Sequence, residues 1–507
     1  MAEAPNRKTF GLQQTASIGL SVFLIVAPCL GTPSAATPSS INGNGSDYPE
    51  VINGVRERAE AQIGKKWIET PDAVLNQRKE LEWARYLKTA LNLPDWVDLG
   101  IENRTRFESL DHPWRSTARV GGGRTDSQIA LRSRVRFGLG GNGPVRFLFE
   151  GQDSRVYGDE PGGFVNNTTV DEWDILQLFG SLTASNVMGS GLRMDMHFGR
   201  MTMDFGGRRY VARNDFRNTT NAFDGFHWQI AKDKLWRFRA FLVEPVIRDE
   251  VKLDEQNKNF LFWGAYLENH QIPWMKLNVF YYGLNDQRFA NNNLHRTYGT
   301  YGLRLFRSAG VGEIDYELEG AVQVGHVGQV DHFAYNPNAQ MGYTFDVPWT
   351  PRFLVQYTYA SGTRTPGGSQ SGTFDPLFGA RRWDLMATGI FGPFLRSNIS
   401  SPGWRVIVQP AKGWRIQLKQ RFWWLAQGTA VNGGILLQDP TGGAGNYLGH
   451  DLEFRVQWVI NQNLDFDAGY DHWFKGSYFD RLPASANLPQ GGNKDTDYFY
   501  ISMRVRL

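Results

Sequence analysis

From Trp96 to Leu507 apolar and polar side chains alternate along the chain with a period of two. Leu99, Ile101 and Phe107 interleave with Glu102, Arg104, Arg106 and Glu108; Ile129, Leu131, Val135 and Phe137 interleave with Arg132, Arg134 and Arg136. The same beat returns at Ile314–Glu319, Trp414–Lys419 and Asp451–Trp458. It also closes the chain, where Phe499, Ile501, Met503, Val505 and Leu507 alternate with Tyr500, Ser502, Arg504 and Arg506. Successive side chains of a strand point to opposite faces, so each stretch predicts a strand with one apolar face. A soluble sandwich alternates too, but its solvent face is not repeatedly a file of arginines. An exposed aliphatic strand such as the last one would invite aggregation in water. Apolar toward lipid and charged toward a lumen, the pattern fits a transmembrane β-barrel.

The connectors carry a second rhythm. Short turns fall at Gly140–Gly143, Lys232–Lys234, Gln271–Pro273, Ser308–Gly312, Val347–Pro351, Pro410–Gly413 and Asn461–Asn463. Between them lie mostly longer loops: Asp111–Asp126, Tyr157–Val170, Met201–Asn221, Glu244–Lys258, Leu284–Thr297, Gly362–Ser401, Gly428–Tyr447 and Lys475–Thr496. Up-and-down membrane barrels alternate in this way, with short periplasmic turns and long outer loops. The expected fold is all-β: an antiparallel barrel of about 18 strands, both chain ends periplasmic, its long loops exposed outside the cell. Trp383–Phe391 also has strand character, but counting it would break the alternation, so it belongs to an outer loop. About 18 strands leave an open lumen rather than a filled core.

Composition adds most at the N-terminus. Arg7 and Lys8 precede the apolar run Ile18–Ala27 and the small residues Ser34-Ala35-Ala36, which reads as a secretory signal over residues 1–36. Residues 37–95 form a periplasmic leader with a short helix expected over Gln77–Leu93, stopped by Pro94, and the barrel occupies 96–507. The only cysteine, Cys29, lies in the signal, so no disulfide and no thiolate metal site is expected in the mature chain. A net charge of +3 gives no reason to expect nucleic acid.

Five pieces of sequence, in order, resemble the alginate export family of outer-membrane porins. After Gly199-Arg200 the chain runs Arg208-Arg-Tyr-Val-Ala-Arg213-Asn214-Asp-Phe-Arg217-Asn-Thr into Phe223-Asp224-Gly225. Phe374-Asp-Pro-Leu377-Phe378 resembles the family's F-x-x-L-F loop, and Gly449-His-Asp451-Leu-Glu453 its G-x-E-x-D segment with the acids exchanged. Gly469–Tyr478 resembles its last aromatic segment. The resemblance spans Trp96 to Leu507. Two departures stand out: Arg381-Arg382-Trp383 replaces the family's histidine, and the chain ends in Leu rather than Phe. The resemblance implies a monomeric barrel passing alginate or a similar polyuronate across the bacterial outer membrane, guided by lumen cations. Periplasmic secretion components are candidate partners beside the membrane lipid, and no cofactor is implied.

The chemistry agrees with an anionic cargo, since guanidinium groups bind carboxylates bidentately and keep their charge. The candidates on the lumen parity are Arg104, Arg106, Arg132, Arg134, Arg136, Arg193, Arg237, Arg239, Arg304, Arg415, Lys419, Arg421, Arg455, Arg504 and Arg506, with Arg200 added at a strand exit. Barrel closure is expected to bring Arg504 and Arg506 beside Arg104 and Arg106. Glu102, Glu108, Glu150, Asp195, Glu317, Asp451, Glu453, Asp465 and Asp467 share the parity, so cross-strand pairing that stiffens the wall is the plainer use of any one arginine. A general or solute-specific uptake porin for small anions is the alternative. An enzyme is not expected: the nine histidines are scattered, and no Ser/His/acid or metal-spaced arrangement stands out. Asp465 and Asp467 share a strand face as an acid/base pair would, but they read more simply as lumen decoration.

Overall fold

In the computed structural model, the described residues are Leu87 and 90–507, apart from 115–124, 142, 160–162, 233–234, 289–294, 432–433, 462 and 484–491. The expected signal and most of the leader lie outside the described residues, as does nearly all of the Gln77–Leu93 helix. Leu87 and Ala90 are helical, and Leu91 N donates to Leu87 O (2.9 Å).

Eighteen long antiparallel strands close on themselves. They are β1 Val97–Asp111, β2 Thr125–Leu139, β3 Val145–Tyr157, β4 Asp171–Val187, β5 Leu192–Met201, β6 Phe223–Lys232, β7 Trp236–Ile247, β8 Phe260–Asn269 and β9 Lys276–Asp286. The second half is β10 Arg296–Arg307, β11 Ile314–Val327, β12 Val330–Thr344, β13 Arg352–Ala360, β14 Ile399–Val408, β15 Trp414–Trp424, β16 Tyr447–Val459, β17 Leu464–Lys475 and β18 Thr496–Arg506. Each pairs with its sequence neighbour, and β1 meets β18 with Glu102 opposite Arg506 and Asp111 opposite Asp497. Beyond the wall, Glu255–Gln256 extends β7, Gln370–Ser371 lies parallel to β12, and a one-turn helix, α1 (Ser477–Asp480), follows β17. Among the described residues no helix is long and apolar enough to cross a membrane.

The alternation sorts the faces. Ile101, Phe107, Ile129, Val135, Phe454 and Ile501 are exposed, while Arg104, Arg106, Arg132 and Arg134 are at most 2 % exposed. This inverts a soluble protein and matches a wall set in lipid. Trp96, Trp236, Trp274, Trp349, Trp414 and Trp458 all lie at the short-turn end, where indole rings suit a membrane interface. Trp414 and Trp458 stack there at 4.8 Å.

Two features depart from the sequence reading. The connection between β11 and β12 is only Gly328-Gln329, although it lies at the long-loop end. More consequentially, the lumen is not empty. The connections 202–222 and 361–398 were expected to lie outside, but both turn inward. Phe205, Tyr210, Val211, Phe374, Leu385 and Phe391 are at most 3 % exposed. The two segments meet through a parallel bridge, Val211 to Phe378, in which Phe378 N donates to Tyr210 O (2.9 Å) and Ala212 N to Phe378 O (3.1 Å). Gly379 permits this approach, since a Cβ there would stand 1.8 Å from Arg209 O. These apolar stretches are too irregular for strands, and burial inside the barrel is what removes them from water.

Candidate translocation path

The wall arginines of β1, β2 and β18 converge on one residue, Asp215, and it comes from the insert. Asp215 accepts from Arg132 (2.8 Å) and Arg134 (3.1 Å) through Oδ1 and pairs with Arg504 through Oδ2 (3.1 Å). Arg104 donates to the Asp215 carbonyl (2.7 Å) and to the Asn218 side chain (3.0 Å). Glu102 braces the cage from the wall, against Arg132 (3.0 Å) and Arg506 (3.1 Å). Burial pushes the Asp215 carboxyl up, but Arg132, Arg504 and Arg134 hold it well below the usual carboxylate range.

Arg106 pairs with Glu108 (3.0 Å) and lies over the Phe216 ring (4.5 Å). Arg193 pairs with Asp195 (3.0 Å), Arg239 with Glu268 (3.0 Å), Arg304 with Glu317 (2.8 Å) and Arg455 with Asp467 (2.8 Å). Arg237 also meets Glu268, and Lys419 meets Glu453 and the Leu385 carbonyl. Arg415 donates to Gln457 (2.7 Å), and Arg421 to the Ser401 and Asp384 carbonyls (2.7 and 2.9 Å). Arg200 stands elsewhere. It shares the outward parity of exposed Phe198, near the long-loop rim, and pairs with Asp224 (2.8 Å). The alternation itself carries this correction: Arg193, Asp195 and His197 point inward, so Arg200 does not line the lumen.

The motif pieces meet in space. Phe223 packs edge-on against Phe378 (5.1 Å), and Phe374 against Tyr210 (6.0 Å). Arg213 reaches Glu150 (2.6 Å), Arg217 meets Asn221, and the Arg217 carbonyl accepts from Arg104 (2.9 Å). Asn214 and Leu377 take left-handed backbone (φ 57° and 52°) where the insert turns. Gly225 lies against β7, where a Cβ would stand 2.3 Å from Leu242 O, and Gly449 lies as close to β17. Asp451 accepts from the Trp423 indole, and Glu453 from Arg382 (2.5 Å) and Lys419. Insert residues outside the alternation complete the network. Arg209 meets Glu317, Glu319 and Asp384, and Arg396 meets Asp384 and the Ala380 carbonyl.

Two cavities flank the insert along β6 and β7. One of about 330 Å³, toward the long loops, is lined by Arg248, Arg288, Arg296, Asp375 and Asn221. The other, of about 310 Å³, lies toward the short turns among Arg136, Arg146, Arg239, His197 and His227. Arg239 and Pro245 stand six positions apart on β7, roughly 20 Å of strand. Between the cavities runs a chain of rings: Phe378–Phe262 (5.0 Å), Phe262–Phe241 (5.1 Å) and Phe241–Phe205 (5.3 Å). Arg288 and Arg296 arise at a loop and a strand start, where period-two reading gives no warning.

A closed barrel with a lipid-facing exterior, tryptophans at its rim and a charged lumen is an outer-membrane protein of the porin class. Solved structures share the fold. OpdQ of Pseudomonas aeruginosa superposes with a TM-score of 0.54 at 14% identity, covering 81% of this chain and 98% of that one. OpdK of the same organism, solved with vanillate, gives 0.54 at 11% identity, with 81% and 98% covered. OccD3 (OpdP), also of that organism, gives 0.51 at 13%, with 81% and 91% covered. At such identities the likeness speaks for the fold alone. No curated protein sequence matches the chain. The alginate export family model matches residues 95–487, so the chain belongs to the alginate export family of outer-membrane porins. It is a protein of the bacterial outer membrane.

Proposed function

We propose that the barrel passes an anionic polysaccharide, alginate or a similar polyuronate, by passive diffusion, and that the inward segment 202–222 closes the path until a substrate carboxylate displaces Asp215. One observation carries this reading: three wall arginines, Arg132, Arg134 and Arg504, already hold a carboxylate inside the lumen, and that carboxylate is on a connecting segment rather than the wall. A uronate presents the same group, and a guanidinium cage does not distinguish its source. Passage also requires release, which several modest sites in series allow. Cationic cavities on the two sides of the insert supply such a series. The pairing of β1 with β18, by which one chain encloses the whole path, supports a monomer as the unit of function.

The cavity sizes favour a second reading. Spaces of about 330 and 310 Å³ suit one or two sugar units, so a porin for small acidic solutes fits the closed form directly. Planar-bilayer recording separates the two. Block of the anion current that tightens with oligomer length supports the polymer, whereas equal block by monouronate and long oligomers supports the small solute.

A further inference from the structure

We propose that Asp171, Asp174 and Asp254 form a divalent-cation site, suited to Ca²⁺, that fastens the β7 extension to the start of β4 at the long-loop end. The three residues come from two separate elements. Asp171 and Asp174 open β4, and Asp254 lies in the hairpin that leaves β7 and returns through Glu255–Gln256. One carboxylate oxygen from each lies within 4.8 Å of the other two. A Ca²⁺ ion holds oxygen ligands at roughly 2.4 Å, so oxygens on one ion are at most about 4.8 Å apart.

A second observation concerns what is missing from the hydrogen bonding. Asp171 is 3 % exposed; its Oδ2 accepts from Gln152 (3.3 Å), while its Oδ1 has no hydrogen-bond partner. A buried carboxylate oxygen without a donor is costly unless a cation or proton meets it. Neither neighbouring cation donates to that oxygen. Arg200 grips Asp224 through two nitrogens (2.8 and 3.0 Å), and reaches Asp174 (3.3 Å) and the Asp254 carbonyl (3.1 Å) with what remains. Arg248 faces Asp171 and Asp254 but donates to Asn221 (3.1 Å). The carboxylates of Asp171, Asp174, Asp224 and Asp254 outnumber the guanidinium groups of Arg200 and Arg248, an excess of negative charge that a divalent ion would offset. Hard oxygen ligands with irregular spacing favour Ca²⁺ over Mg²⁺, which demands near-octahedral geometry. The hairpin also touches β4 by backbone, Glu172 N donating to Glu250 O (3.1 Å), so the ion would lock a contact that already exists.

The test uses the full chain in detergent, stripped with chelator. Tb³⁺ substitutes for Ca²⁺ and luminesces when excited through a nearby indole, and Trp173 sits between two of the ligands. The expected result is saturable luminescence at one ion per chain, displaced by Ca²⁺ and not by equal ionic strength of Na⁺. D171N and D254N should each weaken binding roughly tenfold or more, whereas D331N, at an exposed acid on β12, should leave it unchanged. W173F should lose the luminescence and keep the calorimetric Ca²⁺ binding. If the wild type shows no saturable binding at roughly millimolar Ca²⁺, or both ligand variants bind as it does, the carboxylates share protons and the site is overturned. Should D171N fail to form the heat-resistant barrel, D254N, in the hairpin, decides alone.

Discussion

Arg104 and Arg504 face each other directly across the seam where the first strand meets the last. Like charges in that position repel, and a seam held only by backbone bonds would be weakened by them. Asp215 resolves the conflict from inside, with its side chain on Arg504 (3.1 Å) and its carbonyl on Arg104 (2.7 Å). Barrel closure and the seating of the insert are therefore one arrangement: the residue that quiets the seam also holds 202–222 against the wall.

The first prediction follows from that coupling. Asp215→Ala leaves several buried guanidinium groups without their shared carboxylate, a loss of about 3–5 kcal/mol for a broken buried pair. The wall has its own ladder bonds and Glu102, so the expected casualty is the seating of 202–222. Single-channel recording should show a higher open probability with stronger anion preference. An unchanged trace with normal insertion would remove Asp215 from any role in closing the path.

The second concerns pH. The carboxyl of Asp215 is held well below its usual value by Arg132, Arg504 and Arg134, against the opposing effect of burial. A depressed carboxylate stabilises the folded arrangement fully above its unfolded value and loses that contribution as pH falls through the folded one. The cage should therefore hold from neutrality down to about pH 4, near the ordinary aspartate value, and loosen only below it. Opening with a midpoint between roughly pH 5 and 7, the histidine range, would assign the gate to another group.

The third tests the register. Phe454→Arg places a cation on the lipid face at a cost of about 2–4 kcal/mol near the midplane, and should impair assembly. Arg415→Ala, on the inward parity beside Gln457 and Gln417, should insert normally. Folding yield into vesicles measures both, and equal damage would shift the assignment by one residue.

How far the sequence reaches can be judged at single residues. Period two places Arg104, Arg132 and Arg504 on one face, and closure follows from strand count, so their meeting is legible in advance. Their partner is not. Asp215 lies in a connector with no period, and only the tertiary fit of 202–222 inside the wall brings it there. The motif pieces were visible as strings, but nothing in the strings says that Phe223 and Phe378 touch. Arg200 shows the opposite failure: its parity with Phe198 was readable, and its charge suggested a lumen role that its position does not give. A rim site with Asp224 as partner tolerates that charge on the outer face.

The last prediction addresses the path itself. Gly379 lets the two inward segments touch, because a side chain there would collide with the Arg209 carbonyl. Gly379→Val should part 202–222 from 361–398 while leaving every wall strand intact, widening the route between the two cavities. The expected outcome is larger conductance at unchanged barrel stability. Adding Arg288→Glu in the same chain should then cut the anion preference, since Arg288 lines the cavity toward the long loops. That second effect should fade at high salt, because exposed charges are screened over about 8–10 Å near physiological ionic strength. If Gly379→Val raises conductance and Arg288→Glu leaves selectivity untouched, ions are bypassing the upper cavity, and the path must run along the β14–β18 side of the insert instead.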